Sequence, residues 1–226
     1  MPRTLGAHRA HIALEELQIP FEEVIIDLDT PRTAEYLAIN PRGLVPTISY
    51  DGTIIPESGI VAGFLADQYP SHLVPASTAA GGALKRAQIA FFVDAFFSKF
   101  QGKLFKLYGA KDDAEAEAVV DDAVASLVKE VEPLLRDAAP FFGGSDRITL
   151  AEVLTGSFVI RLTSLAGAGV YPASLTQSLA DKAPNFTKWA AAVSKHPSVT
   201  KIYDEEKIVE GTKARVAKLR AAAAAA

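Results

Sequence analysis

The spacing of apolar positions changes along the chain and divides it into two unlike halves. In residues 7–17, AHRAHIALEEL, Ile12, Leu14 and Leu17 stand among good helix formers and Pro20 closes the segment, which predicts a helix. Residues 21–28 then read as a strand and 30–37 as a short irregular helix. Thr47-Ile48-Ser49-Tyr50 alternates as a half-buried strand does, and Asp51-Gly52 is a strong two-residue hairpin signal. Thr53-Ile54-Ile55 supplies the return strand before Pro56 stops it. From Ser58, the expected N-cap, Ile60, Val61, Phe64 and Leu65 take helical spacing to about Tyr69. The order is helix, strand, helix, hairpin, helix.

Pro70, Pro75 and the small-residue run 77–82 mark a linker, after which every segment reads helical. The predicted domains are 1–74 and 83–220. Phe92, Phe96 and Phe100 recur every fourth residue and continue into Leu104 and Leu107, while Phe91 and Phe97 widen the stripe beyond one packing partner. Core packing with a dimer contact is the expectation for these rings. A second helix is predicted over 112–135, with Val120, Val124, Leu127, Val131 and Leu134 on one face and an acidic start that suits the macrodipole. Thr149-Leu150-Ala151-Glu152 fits a capping box, so a further helix begins there, and loss of that cap is expected to cost about 1 kcal/mol of folding stability. Trp189 and the segment His196-Pro197-Ser198-Val199 close the bundle.

With 226 residues, 49% apolar and 22% charged, the chain can bury the cores of two modest domains or of one large one. Its 23 basic and 27 acidic residues give a net charge of −4 with no polybasic cluster, which argues against nucleic acid as a partner. The most apolar run, 150–168, is interrupted by Glu152 and Arg161 and reads as a buried helix, not a membrane span. No signal-peptide pattern precedes it, and a cytosolic location is expected. Cysteine is absent, which excludes disulfides, thiolate metal ligands and a cysteine nucleophile from the sequence as given. His8, His11, His72 and His196 form no ligand cluster, so no metal is expected. The terminal alanine run from Ala221 is set apart from the predicted fold.

The stretch 40–58, NPRGLVPTISYDGTIIPES, resembles the glutathione site of the cytosolic glutathione transferases, with Val45-Pro46 and Glu57-Ser58 at the family's spacing. The AHRAHIALEEL segment is similar to the omega-type and fungal variants, and the capping box extends the resemblance, with Glu152 where the family normally has Asp. The resemblance implies an α/β thioredoxin-like N-terminal domain and an all-helical C-terminal domain, together the glutathione transferase fold. It also implies a homodimer, and glutathione as co-substrate, its thiolate passing to an apolar electrophile. At the site it implies a cis Val45–Pro46 bond that lets the Val45 backbone pair with the cysteinyl unit. Ser58 and the helix terminus would hold the γ-glutamyl carboxylate, Glu57 would face its ammonium, and Arg32 would meet the glycyl carboxylate.

Counting back from Arg9, the family's catalytic cysteine falls on Thr4 and its proline on Leu5, and neither matches. Thr4 offers one O–H to a thiolate. Arg9 is expected either to add positive field there or to form an ion pair with the C-terminal half. Met1, Pro2 and Arg3 leave little of the strand that precedes this helix in the family, and Pro2 cannot donate within a central strand. Two readings follow: a glutathione transferase, or a non-catalytic protein of the same fold that binds glutathione, an apolar ligand or a protein partner.

Overall fold

The computed structural model describes residues 4–224. Helix α1 (Leu5–Leu17) starts two residues before the predicted boundary because Thr4 caps it, its Oγ1 accepting from Ala7 N–H at 3.1 Å. Gln18, in the left-handed region, ends it. The expected helix over 30–37 is displaced to α2 (Ala34–Ile39), since Thr33 rather than Thr30 supplies the cap. Strands β1 (Thr47–Tyr50) and β2 (Thr53–Pro56) pair antiparallel with Tyr50 opposite Thr53, and both turn residues, Asp51 and Gly52, have positive φ as a tight hairpin requires. Helix α3 (Ser58–Gln68) follows at once.

One predicted strand is absent. Residues 21–28 are irregular, and Val24 and Ile25 are among the most exposed apolar side chains. No backbone hydrogen bond joins Phe21–Ile26 to the described chain, and the only sheet among the described residues is the two-stranded hairpin. A strand needs a neighbour for its N–H and C=O groups, and a run of apolar residues alone does not provide one.

The C-terminal half is helical, as expected. Helix α4 (Gly82–Ala95) runs through a π-helical stretch (Phe96–Gln101) into a single turn, α5 (Gly102–Leu104). Phe92, Phe96 and Phe100 are fully buried and meet Trp189 and Phe186, mostly edge to face. The helix predicted over 112–135 is α6 (Asp113–Glu130), which gives way to a 3₁₀ turn at Glu132–Leu135 because Pro133 has no N–H to donate.

Helix α7 (Leu150–Gly167) is central, packing against α1, α3, α4 and α9 (Pro184–Lys195). Its length and hydropathy would suffice to cross a membrane, but 72% of it is buried inside this chain. The capping box is formed as predicted, but Glu152 does much more than cap. Its fully buried carboxylate accepts from Thr149 N–H (2.9 Å), Thr149 Oγ1–H (2.6 Å), Phe142 N–H (2.8 Å) and Trp189 Nε1–H (2.7 Å). Helices α8 (Ala173–Lys182) and α10 (Pro197–Thr200) complete the bundle with α11 (Glu205–Ala224). The part of the alanine run within the described residues, Ala221–Ala224, continues α11, as the best helix former should. A single apolar cluster runs from Ala10 on α1 to Val199 on α10, so both halves share one core.

Candidate functional site

The site is assembled around Gly6. A Cβ built there would stand 3.1 Å from Pro46 Cδ, 3.2 Å from the Val45 carbonyl oxygen and 3.4 Å from Ser58 Cβ. The first turn of α1, the Val45–Pro46 loop and the start of α3 therefore meet at a point where only hydrogen fits comfortably. Glycine inside a helix ordinarily costs about 1 kcal/mol relative to alanine, and close backbone approach is the usual compensation. The sequence reading passed over Gly6, although a glycine in the first turn of a helix was the available signal.

The Val45–Pro46 bond is cis, as expected, and Ala139–Pro140 is a second cis bond that the sequence reading did not anticipate. The loop before Val45 is fixed by buried polar contacts. The Leu44 carbonyl accepts from Tyr36 Oη (2.6 Å) and Asn40 Nδ2 (2.8 Å), and Asn40 also reaches Thr47 Oγ1 at 2.9 Å. The N–H and C=O of Val45 itself have no hydrogen-bond partner in the described chain, so its backbone is held in place and left open.

Ser58 is the first residue of α3, not its N-cap. The cap position belongs to Glu57, which sits at φ 72° and makes no side-chain cap bond. The first intrahelical bond is Val61 N–H to the Glu57 carbonyl at 2.8 Å, so the N–H groups of Ser58, Gly59 and Ile60 have no acceptor in the described chain. Glu57 carries its carboxylate to Arg42 at 2.5 Å, a surface pair. Arg32 staples the loop: Nε donates to the Gly43 carbonyl at 2.9 Å, and an Nη donates to those of Asp27 (2.7 Å) and Thr30 (2.9 Å). Thr4 accepts its capping bond through Oγ1, which leaves its O–H as a donor at the N-terminus of α1.

Arg9 does reach the C-terminal half, but no ion pair forms. Nε donates to the Leu154 carbonyl on α7 at 2.7 Å, and the guanidinium lies 4.5 Å from the Phe97 ring centre and 4.7 Å from that of Phe158. An Nη donates to Ser58 Oγ at 3.2 Å. Burial lowers its pKa to about 10, so it is charged at neutral pH.

Deeper in, His8 joins the two halves. Its Nε2 lies 2.8 Å from the Val199 carbonyl, and Nδ1 lies 3.0 Å from an Arg161 Nη. A carbonyl only accepts and a guanidinium only donates, so the ring is the neutral Nε2–H tautomer. Burial, reinforced by Arg161, brings its pKa down to about 4.

Where the predicted strand fails to form, a cavity of about 1040 Å³ opens between α1, the 21–29 segment and the hairpin, with Thr4, Val45 and Pro46 on its wall. It adjoins the Gly6 junction.

Comparison with known proteins gives the same assignment. Residues 6–68, from Gly6 in the first turn of α1 to the end of α3, match the model of the glutathione S-transferase N-terminal domain. The crystal structure of glutathione transferase Omega 2C from Trametes versicolor superposes with a TM-score of 0.76 at 28% identity, covering 95% of each chain. The N-terminal segment is that of the glutathione S-transferase N-terminal domain family, and the whole chain has the glutathione transferase fold. Among curated relatives of the family, glutathione S-transferase GstB of Escherichia coli is 24% identical over 201 residues, which is 84% of this chain and 89% of GstB. Rice GST1 (OsGSTU1), solved in complex with glutathione, has a TM-score of 0.80 at 24% identity over 96% of this chain and 93% of its own. The thioredoxin-like half and the helical half of a glutathione transferase are thus both present.

Proposed function

We propose that the protein binds glutathione at the Gly6 junction and transfers its thiolate to an apolar electrophile. The observation that carries this reading is the convergence of three complementary groups on that junction. The open Val45 backbone suits an extended peptide, the uncapped α3 terminus with Ser58 suits a carboxylate, and the α1 terminus with Thr4 suits a thiolate. Glu57 would exchange Arg42 for the γ-glutamyl ammonium. Arg32 would have only the guanidinium edge not turned to the loop carbonyls left for the glycyl carboxylate. Thr4 is the proposed catalytic donor: its O–H and the neighbouring N–H groups stabilise the thiolate, which attacks the electrophilic carbon and expels the leaving group.

Half-exposed Phe105, which contacts Phe158 and Tyr108, supports an apolar wall for that electrophile. Exposed Ile60, Leu84 and Phe91 support a homodimer, and detoxification in the cytoplasm fits such a pairing of substrates. The non-catalytic alternative is favoured by one observation, that the residue at the catalytic position is a threonine whose hydroxyl oxygen caps α1, where the cysteine-bearing relatives would have a thiol.

Calorimetric titration with glutathione tests binding, and conjugation of an activated aryl halide tests transfer. In that reaction a C–S bond forms, halide leaves and the thiol proton goes to solvent. Binding with conjugation reduced by Thr4→Ala supports the transferase. Binding with no conjugation supports the non-catalytic reading, and no heat with millimolar glutathione refutes the transferase and leaves the non-catalytic reading only its apolar-ligand or protein-partner form. Without cysteine, glutathione-dependent reduction of disulfides or dehydroascorbate is not expected.

A further inference from the structure

The structure assigns to Arg9 a positioning role at the carboxylate site: it fixes the Ser58 hydroxyl so that its hydrogen points outward, and sets a clamped positive charge behind it. This rests on the reading that glutathione places its γ-glutamyl carboxylate on Ser58 and the α3 terminus. Three observations carry the inference. The first is direction. Arg9 donates to Ser58 Oγ at 3.2 Å, and a hydroxyl oxygen that accepts from a guanidinium keeps its own hydrogen for a different acceptor. The adjacent N–H groups of Ser58, Gly59 and Ile60 lack acceptors in the described chain, so all the polar hydrogens at this helix start await one anion.

The second observation is charge. The polar partners of Arg9 are a carbonyl and a hydroxyl, both neutral, and the rest of the group is enclosed by the Phe97 and Phe158 rings. A largely buried guanidinium without a carboxylate is costly to maintain, and an arriving carboxylate supplies the missing partner. The third is rigidity. Leu154 belongs to α7 and Phe97 to the π-helical stretch after α4, so the helical half clamps the arginine that orients a hydroxyl of the N-terminal half. Lysine has neither the planar face to lie between two rings nor the fork that serves Leu154 and Ser58 together, so Arg9→Lys keeps the charge and loses the geometry.

The test is calorimetry with two probes, glutathione and its analogue 4-aminobutyryl-cysteinyl-glycine, which lacks only the γ-glutamyl α-carboxylate. The wild-type protein is expected to prefer glutathione. Arg9→Lys is expected to weaken glutathione about tenfold or more while leaving affinity for the analogue within about twofold. Phe158→Leu, which keeps the arginine but opens its clamp, is expected to show the same selective loss to a smaller degree and serves if Arg9→Lys does not fold. Equal losses for both probes would mean that Arg9 acts only on the general fold, and no loss for either would remove it from the site; each result overturns the inference. If the wild-type protein binds neither probe, the glutathione reading fails and the inference falls with it. If the wild-type protein binds both equally, glutathione is bound but its carboxylate lies elsewhere, and the inference alone is lost.

Discussion

Replacing Glu152 with glutamine changes one atom, and the structure makes it a severe test of how the two halves are held. A capping-box carboxylate serves two backbone donors at one helix end, and its loss costs about 1 kcal/mol. Glu152 instead satisfies donors from three places. Oε2 takes Thr149 N–H and Oγ1–H at the start of α7, while Oε1 takes Phe142 N–H from the preceding loop and Trp189 Nε1–H from α9. In Glu152→Gln one oxygen becomes NH₂. If it replaces Oε1, two N–H donors face it; if it replaces Oε2, the threonine hydroxyl can turn but Thr149 N–H is left without an acceptor. A buried orphan costs about 1–3 kcal/mol, and each bond that survives on a neutral oxygen weakens by about 1 kcal/mol. Relief of burying a charge offsets part of this. The expected net loss is about 3 kcal/mol, a fall of roughly 6–12 °C in Tm for a chain of this size. Urea and thermal unfolding measure it, with Glu115→Gln as control, since Glu115 caps only a solvent-exposed Lys111 N–H and should cost about 0.5 kcal/mol or less. A Glu152→Gln loss no greater than about 1 kcal/mol would refute the reasoning, because it would mean that the bonds to Phe142 and Trp189 contribute nothing.

On the proposed site, where the Ser58 hydroxyl would meet a charged carboxylate, Ser58→Ala is expected to weaken glutathione binding by about 1–3 kcal/mol, and unchanged calorimetric affinity would move that site elsewhere. Acid should destabilise the protein through His8. Its folded pKa is about 4 against an unfolded 6.5, so the unfolded chain takes the proton first as pH falls, and stability is lost below about 6.5 and levels off below about 4. Between pH 7 and 5 this single group accounts for about 2 kcal/mol, so wild type should lose that much more than His8→Asn in urea titrations at the two pH values; equal losses would contradict it. The amides of Phe21–Ile26 have no backbone partners among the described residues and should exchange with solvent rapidly, whereas Ile48 and Tyr50 lie in the hairpin ladder and should be slower; comparable protection in hydrogen exchange would show that the 21–28 segment is paired after all.

What the sequence made legible follows from the range of the forces involved. The hairpin and its register depend on Asp51-Gly52, the capping box on residues three apart, and the cis bond expectation on Val45-Pro46 itself, so each could be read from a few neighbours. The strand expected over 21–28 failed because its apolar residues state what the segment would bury and say nothing of whether a neighbour exists. The Ser58 capping assignment missed by one residue, since serine suits both the cap and the first turn and only the backbone of Glu57, at φ 72°, decides between them. Arg9 was visible as a residue but not as a contact. Its partners lie 49 residues away at Ser58 and 145 away at Leu154, and no local spacing reports such pairs. The same limit applies to Glu57, whose pairing with Arg42 depends on how the loop folds back. The backbone parts of the candidate site are therefore local and readable, while the side chains that charge and orient it are tertiary. On the proposed reading, that division separates two tasks: the local frame sets where glutathione would lie, and the distant partners set how strongly its carboxylate and sulfur would be held.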